Sequence, residues 1–198
     1  MSRKLILVLA LFSASLGLSA CDKASTPAQG AASSVAQSKP SLDDVVAQAH
    51  GFTVGAVMSA QTVWVFFDPQ CPHCGHLWQA SIPLHNQVKF VWIPIRLLNL
   101  TSVAQGAALL SSNSPAETMA THEGLLLAGK GGLQVPKEVS PELDKAIQAN
   151  TELFNRFGAE SVPFLVLRDP HNPAAVLQHE GALDTPELSS FIGLSAKS

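Results

Sequence analysis

The segment VWVFFDPQCPHCGHLW, residues 63–78, decides how the rest of the chain is read. Thr62–Phe67 is a short run of β-branched and aromatic residues, the pattern of a central strand buried on both faces. It stops at Asp68-Pro69, a turn pair. Cys71 and Cys74 follow at once, with Pro72 and His73 between them. Pro72 suits the first position of a helix, so a helix is expected from about Cys71-Pro72 to Ile82, where Pro83 limits it.

A thiol at such a helix start sits on the positive end of the helix dipole, beside backbone N–H groups that lack intrahelical partners. Both favour thiolate, the nucleophile of disulfide exchange. Cys71 is therefore expected to attack, and Cys74, deeper in the first turn, to resolve the mixed disulfide. A partly charged His73 imidazole would lower the Cys71 pKa further. No cofactor is expected, because the dithiol itself carries the two electrons. A zinc site would need four ligands, and no second Cys pair exists. A purely structural disulfide across two residues would constrain little unfolded-state entropy. A copper-binding envelope lipoprotein, with Cys71, Cys74 and His73 or His76 as soft ligands, is the rival reading.

Working outward, Ser41-Leu42-Asp43-Asp44 has the form of a capping box opening a short helix to about Ala49. Phe52–Val57 reads as a first strand that Gly55 weakens, and Val88–Ile95 as another, with Pro94 placing its end near an edge or bulge. Residues from about 101 to 157 lack a strand pattern and carry three helical segments, two of them opening with Ser-Pro. Phe164–Leu167 and Ala175–Glu180 read as strands, and Thr185–Ile192 as a closing helix. The order predicts an α/β fold, a mixed sheet with helices on both sides and a helical insertion in the middle.

At 198 residues, 46% hydrophobic and 14% charged, the chain can bury a substantial core. A net charge of -3 with scattered Lys and Arg argues against nucleic acid. Residues 1–20 read as a signal peptide: Arg3 and Lys4 precede an apolar stretch too short to span a membrane well. Leu18-Ser19-Ala20-Cys21 resembles the lipobox of bacterial lipoproteins, which implies lipidation of Cys21 and a membrane anchor. Residues 21–40, rich in Ala, Ser, Gln, Pro and Gly, read as a flexible tether to a domain at 41–198. Such a leader places the chain outside the cytoplasm, where disulfides persist.

Phe66-x-Asp68-Pro69-x-Cys71-Pro72-x-Cys74 resembles the active-site segment of periplasmic thiol:disulfide interchange proteins of the DsbC/DsbG family, on its DsbG side. The resemblance runs from about residue 60 to the C-terminus, helical insertion included. It implies a thioredoxin fold with Cys71 as nucleophile and Cys74 as resolving thiol. It also implies a cis-proline facing the thiols, and Ser161-Val162-Pro163-Phe164 fits that place. The Val162 backbone would then pair with a substrate peptide by strand-like hydrogen bonds. Implied partners are cysteine-containing envelope proteins or peptides, and a membrane redox partner that restores the pair.

Three departures stand out. Nothing before residue 41 could form the family's dimerisation domain, so a monomer is expected. The Pro72-His73 dipeptide resembles that of the oxidase DsbA. Position 65 is Val where thioredoxins place a buried acid, which leaves the proton acceptor for Cys74 unidentified. His50, His85, His122, His171 and His179 are read as surface residues, and Trp64 and Trp92 as core. Trp78 is expected either beside the active-site helix or shaping the groove near Cys71.

Overall fold

The computed structural model describes residues 39–136 and 138–194. The leader, Cys21 and nearly all of the tether lie outside the described residues. Helix α1 (Leu42–Gln48) opens on the expected reciprocal cap, Ser41 Oγ accepting from Asp44 N while the Asp44 carboxylate accepts from Ser41 N. Then follow β1 (Phe52–Gly55), β2 (Thr62–Phe67), α2 (Pro72–Ser81), a single 3-10 turn at Ile82–Leu84, and β3 (Lys89–Pro94). The insertion supplies α3 (Thr101–Leu110), α4 (Pro115–Leu127) and α5 (Pro141–Phe157). The chain closes with β4 (Phe164–Arg168), β5 (Val176–Glu180) and α6 (Thr185–Ile192).

The five strands lie in the order β1-β3-β2-β4-β5, with β2 in the centre. Only β2 and β3 run parallel, joined across the sheet by α2; the other pairs are antiparallel. Val63, Val65, Phe66 and Phe67 are all fully buried, which is why β2 lacks the alternation of a half-exposed strand. Adjacent strand residues point to opposite faces. Phe66 packs on Phe154, Phe157 and Phe164 with ring centroids 6.2, 6.1 and 6.0 Å away. Phe67 meets Trp92 at 5.5 Å, and Trp92 meets Trp78 of α2 at 5.3 Å. Thus α5 covers one face and α2 the other. Trp78 belongs to the core beneath the active-site helix.

Two expectations need correction. β1 ends two residues early, because Gly55 adopts a left-handed conformation (φ 93°) and a Cβ there would lie 2.4 Å from the Val88 carbonyl oxygen. Pro94 marks neither an edge nor a bulge. It is the last residue of an interior strand, paired with Phe67, and its missing N–H falls where the ladder ends.

Phe66 is the side chain on which α5 and β4 both rest. Phe66→Ala should cost about 3–5 kcal/mol, because the cavity lies between a helix and a sheet that cannot both collapse into it. Urea unfolding followed by circular dichroism reads this as a lowered midpoint with an unchanged slope.

Candidate active site

The end of β2 delivers the chain into a tight turn whose geometry is fixed by hydrogen bonds. The Cys71 N–H donates to the Asp68 carbonyl at 2.9 Å, and the Cys71 carbonyl accepts from Cys74 N at 3.0 Å. Cys71 is the N-cap of α2, in extended conformation, and Pro72 is its first residue. The cap makes no side-chain hydrogen bond to the helix; Cys74 N and Gly75 N donate instead to the Cys71 carbonyl, at 3.0 and 3.4 Å. Cys71 is 5% exposed and Cys74 0%, both as free thiols. Pro72 and His73 lie outside on the surface.

The Val162–Pro163 peptide bond is cis, and the Val162 carbonyl oxygen lies 3.5 Å from Cys71 Sγ. The loop before β4 therefore faces the thiol across the sheet's end, although Val162 and Cys71 are far apart in sequence.

The two thiols are driven apart electrostatically. Cys71 is lowered from 9.0 to about 6, chiefly by the Cys74 S–H, against the opposing effect of burial. The backbone N–H groups of Cys74 and His73 lower it further, and the His73 charge contributes least. Burial, first of all, pushes Cys74 well above its ordinary value, and the Cys71 sulfur adds to that. One thiol is thus a ready nucleophile at neutral pH and the other a buried acid.

The turn is held from the insertion side. Asp68 is fully buried: Oδ1 accepts from Gln70 N (2.8 Å) and Ser102 Oγ (2.6 Å), and Oδ2 from Leu97 N (2.7 Å) and Leu98 N (2.8 Å). Gln70 reaches Gln105 of α3 at 2.6 Å and the Gly131 carbonyl at 2.9 Å. His122, read from sequence as a surface residue, is fully buried. Its Nε2 lies 2.7 Å from the Pro69 carbonyl, and its Nδ1 accepts from Leu133 N at 3.2 Å. That pairing puts the proton on Nε2, and burial lowers the pKa. Of the other four histidines, His85 and His179 are half-buried and His50 and His171 exposed.

Glu123, the next residue, was missed by the sequence reading. It is fully buried with no hydrogen-bond partner for either carboxylate oxygen. A Cβ on Gly75 would lie 2.7 Å from Glu123 Oε2, so the carboxyl rests on α2 one residue beyond Cys74. Burial, with the Cys71 charge second, pushes its pKa from 4.5 up to about 9. A signal was present: Met119, Glu123 and Leu127 recur at four-residue spacing, which puts the acid on an inward stripe.

The copper reading needs His73 or His76 beside both thiols. These histidines are exposed on α2 while the cysteines are buried beneath it. Among the described residues no three His, Cys, Asp or Glu side chains are grouped so as to hold a metal ion.

Comparison with known proteins agrees with this geometry. The chain is 30% identical over 148 residues to the thiol:disulfide interchange protein DsbG of Escherichia coli, a match covering 74% of this chain and 58% of that protein. The chain thus spans little more than half the length of that relative. The catalytic domain of Proteus mirabilis ScsC superposes with a TM-score of 0.61 at 19% identity, over 76% of this chain and 92% of that one. A periplasmic thioredoxin-like protein from Salmonella enterica serovar Typhimurium gives 0.59 at 16% identity, over 74% and 91% respectively. No family model matches the chain. The fold is thioredoxin-like with a helical insertion, and the resemblance to the DsbC/DsbG-type interchange proteins covers the catalytic part.

The reduced protein should show thiolate absorbance titrating with a midpoint of about 6. Because this lies below the unfolded value of 9.0, the stabilisation is complete only above 9.0 and is lost as pH falls through about 6. Cys74→Ala removes the largest cause and should raise the midpoint more than His73→Ser, which leaves the backbone donors in place. A larger shift for His73→Ser would reverse this order of causes.

Proposed function

We propose that this chain is a thiol:disulfide oxidoreductase that exchanges disulfides with cysteine-containing proteins or peptides of the cell envelope. The observation that carries it is the pair itself: Cys71 lowered to about 6 at a helix start, above a buried Cys74 held protonated. In the reducing direction the Cys71 thiolate attacks a substrate disulfide, one substrate sulfur leaves as thiolate, and a mixed disulfide forms. Cys74, on losing its proton, attacks Cys71 Sγ, releasing the second substrate thiolate and closing Cys71–Cys74. Two electrons pass from the protein to the substrate. Read backwards, the same steps oxidise a substrate dithiol. Val162 would position the substrate backbone, since its carbonyl already faces Cys71.

The site does not itself set the net direction. A thiol of about 6 stabilises the reduced form at pH 7 by roughly 1.4 kcal/mol, equivalent to about 30 mV towards an oxidising potential. A membrane redox partner would restore the pair after each turnover.

The leader supports a location in the periplasm, with residues 1–20 removed, Cys21 lipidated, and residues 21–40 tethering the domain of 41–198 to a membrane. The likeness to a protein described as periplasmic supports the compartment. Among the described residues no helix is long and apolar enough to cross a membrane.

Two experiments test these readings. Cys71→Ser should abolish exchange, whereas Cys74→Ser should accumulate mixed disulfides that reductant dissolves on a non-reducing gel. If Cys74 is the thiol alkylated first in the reduced protein, the roles are reversed. Labelled palmitate should enter the wild-type chain in a bacterial host and be absent from Cys21→Ser; equal labelling would remove the anchor.

A further inference from the structure

Resolution of a mixed disulfide requires Cys74 to lose a proton, and the reverse step requires it to gain one. Cys74 has no exposed surface, so bulk solvent does not touch the sulfur. Some group inside the protein has to exchange that proton.

On α2, His73 and His76 are exposed on the outer side of the helix. Asp68 offers its carboxylate to Gln70, Ser102, Leu97 and Leu98. Both ring nitrogens of His122 are occupied, by Pro69 and by Leu133. The α3 and β1 segments, which also contact α4, carry no titratable side chain. Glu123 remains. Its two oxygens have no partner, and Oε2 lies against Gly75, the residue that follows Cys74. A side chain serving only to fill space would not need a carboxyl, since a buried polar group without a partner destabilises the fold.

We propose that Glu123 exchanges the proton of Cys74 through one bridging water during disulfide exchange, as acceptor when Cys74 attacks and as donor when Cys74 leaves. The proposal rests on the roles of Cys71 and Cys74 given above. In the reducing direction Glu123, neutral in the reduced protein, first releases its proton to solvent once Cys71 is in the mixed disulfide. The Cys71–substrate disulfide, Cys74–SH and Glu123–COO⁻ then become Cys71–S–S–Cys74, Glu123–COOH and a free substrate thiolate. In the oxidising direction, a substrate thiolate attacks Cys71 of the protein disulfide. Cys74 departs as thiolate and takes the proton of Glu123–COOH. Charge and protons balance both ways.

The electrostatics time the transfer. The carboxyl is held neutral by burial and then by the charge of the Cys71 thiolate. When Cys71 enters a mixed disulfide that charge is gone, and the carboxyl ionises more readily at the moment Cys74 must give up its proton. The insertion thereby supplies, from α4, a group that β2 lacks at Val65.

Stopped-flow reaction of the reduced full chain with dithiobisnitrobenzoate separates the steps. The first coloured thiolate reports attack by Cys71, the second resolution by Cys74. Glu123→Gln should leave the first phase within about twofold and slow the second on the order of a hundredfold at neutral pH, with partial rescue in Glu123→Asp. The slowed phase should then rise only with hydroxide. A second phase of unchanged rate and pH profile, or equal slowing of both phases, overturns the proposal. A missing first phase in the wild type overturns the role of Cys71 instead, and this proposal with it. Should Glu123→Gln fail to fold, the wild-type infrared band of a neutral carboxyl decides. Its titration midpoint should drop when Cys71 is held as a mixed disulfide in Cys74→Ser, and a fixed midpoint overturns the proposal.

Discussion

A single buried carboxylate fixes the position of everything reactive in this fold. Asp68 ends the central strand and accepts hydrogen bonds from Gln70, Leu97, Leu98 and Ser102. Its own carbonyl accepts from the N–H of Cys71. The end of β2, the turn into the thiols, the loop after β3 and the first turn of α3 therefore meet at one side chain. Hydrogen bonds to a charged acceptor contribute roughly 1.5–3 kcal/mol each, and donors left behind without the carboxylate would be buried and unpaired. The two residues facing each other across that turn, Cys71 and Val162, are held in place by this constraint on one side and by β4 on the other.

The insertion is part of the same device rather than an appendage. Gln105 of α3 grips Gln70, His122 of α4 grips Pro69, and the 131–133 segment receives hydrogen bonds from Gln70 and Gln105 while donating to His122. Close approach of α4 to α2 depends on Gly75, where a Cβ would run into Glu123 and Leu127. The residue after the second cysteine is small because a helix crosses there. Substitutions in α4 would reach the thiols by two routes, through the Pro69 carbonyl and through the carboxyl beside Cys74.

Much of this was legible in the sequence because it is local. The capping box at Ser41, the strand ending in Asp-Pro, and the Pro at the start of α2 each depend on residues within one turn of one another. The Asp68 hub was not legible beyond its role in the turn, since its other partners lie some thirty residues on. His122 looked like a surface histidine because what buries it, the Pro69 carbonyl and the Leu133 N–H, arrives from two other segments. Trp78 was undecided between core and groove for the same reason. Only the packing of Trp92 beneath it settles the matter.

The ordering of effects on Cys71 changes what the Pro-His dipeptide means. The sequence suggests the imidazole as the tuning element, yet the largest influence is the S–H of Cys74, followed among stabilising groups by backbone N–H donors. Those donors exist for any residue at position 73, because they belong to the helix start and not to the side chain. The dipeptide can therefore adjust the thiol but not create its acidity. What sets the acidity is the placement of one sulfur at the mouth of a helix and of the other within its first turn. That placement follows from a buried strand stopping just before Asp68, with a helix starting at Pro72.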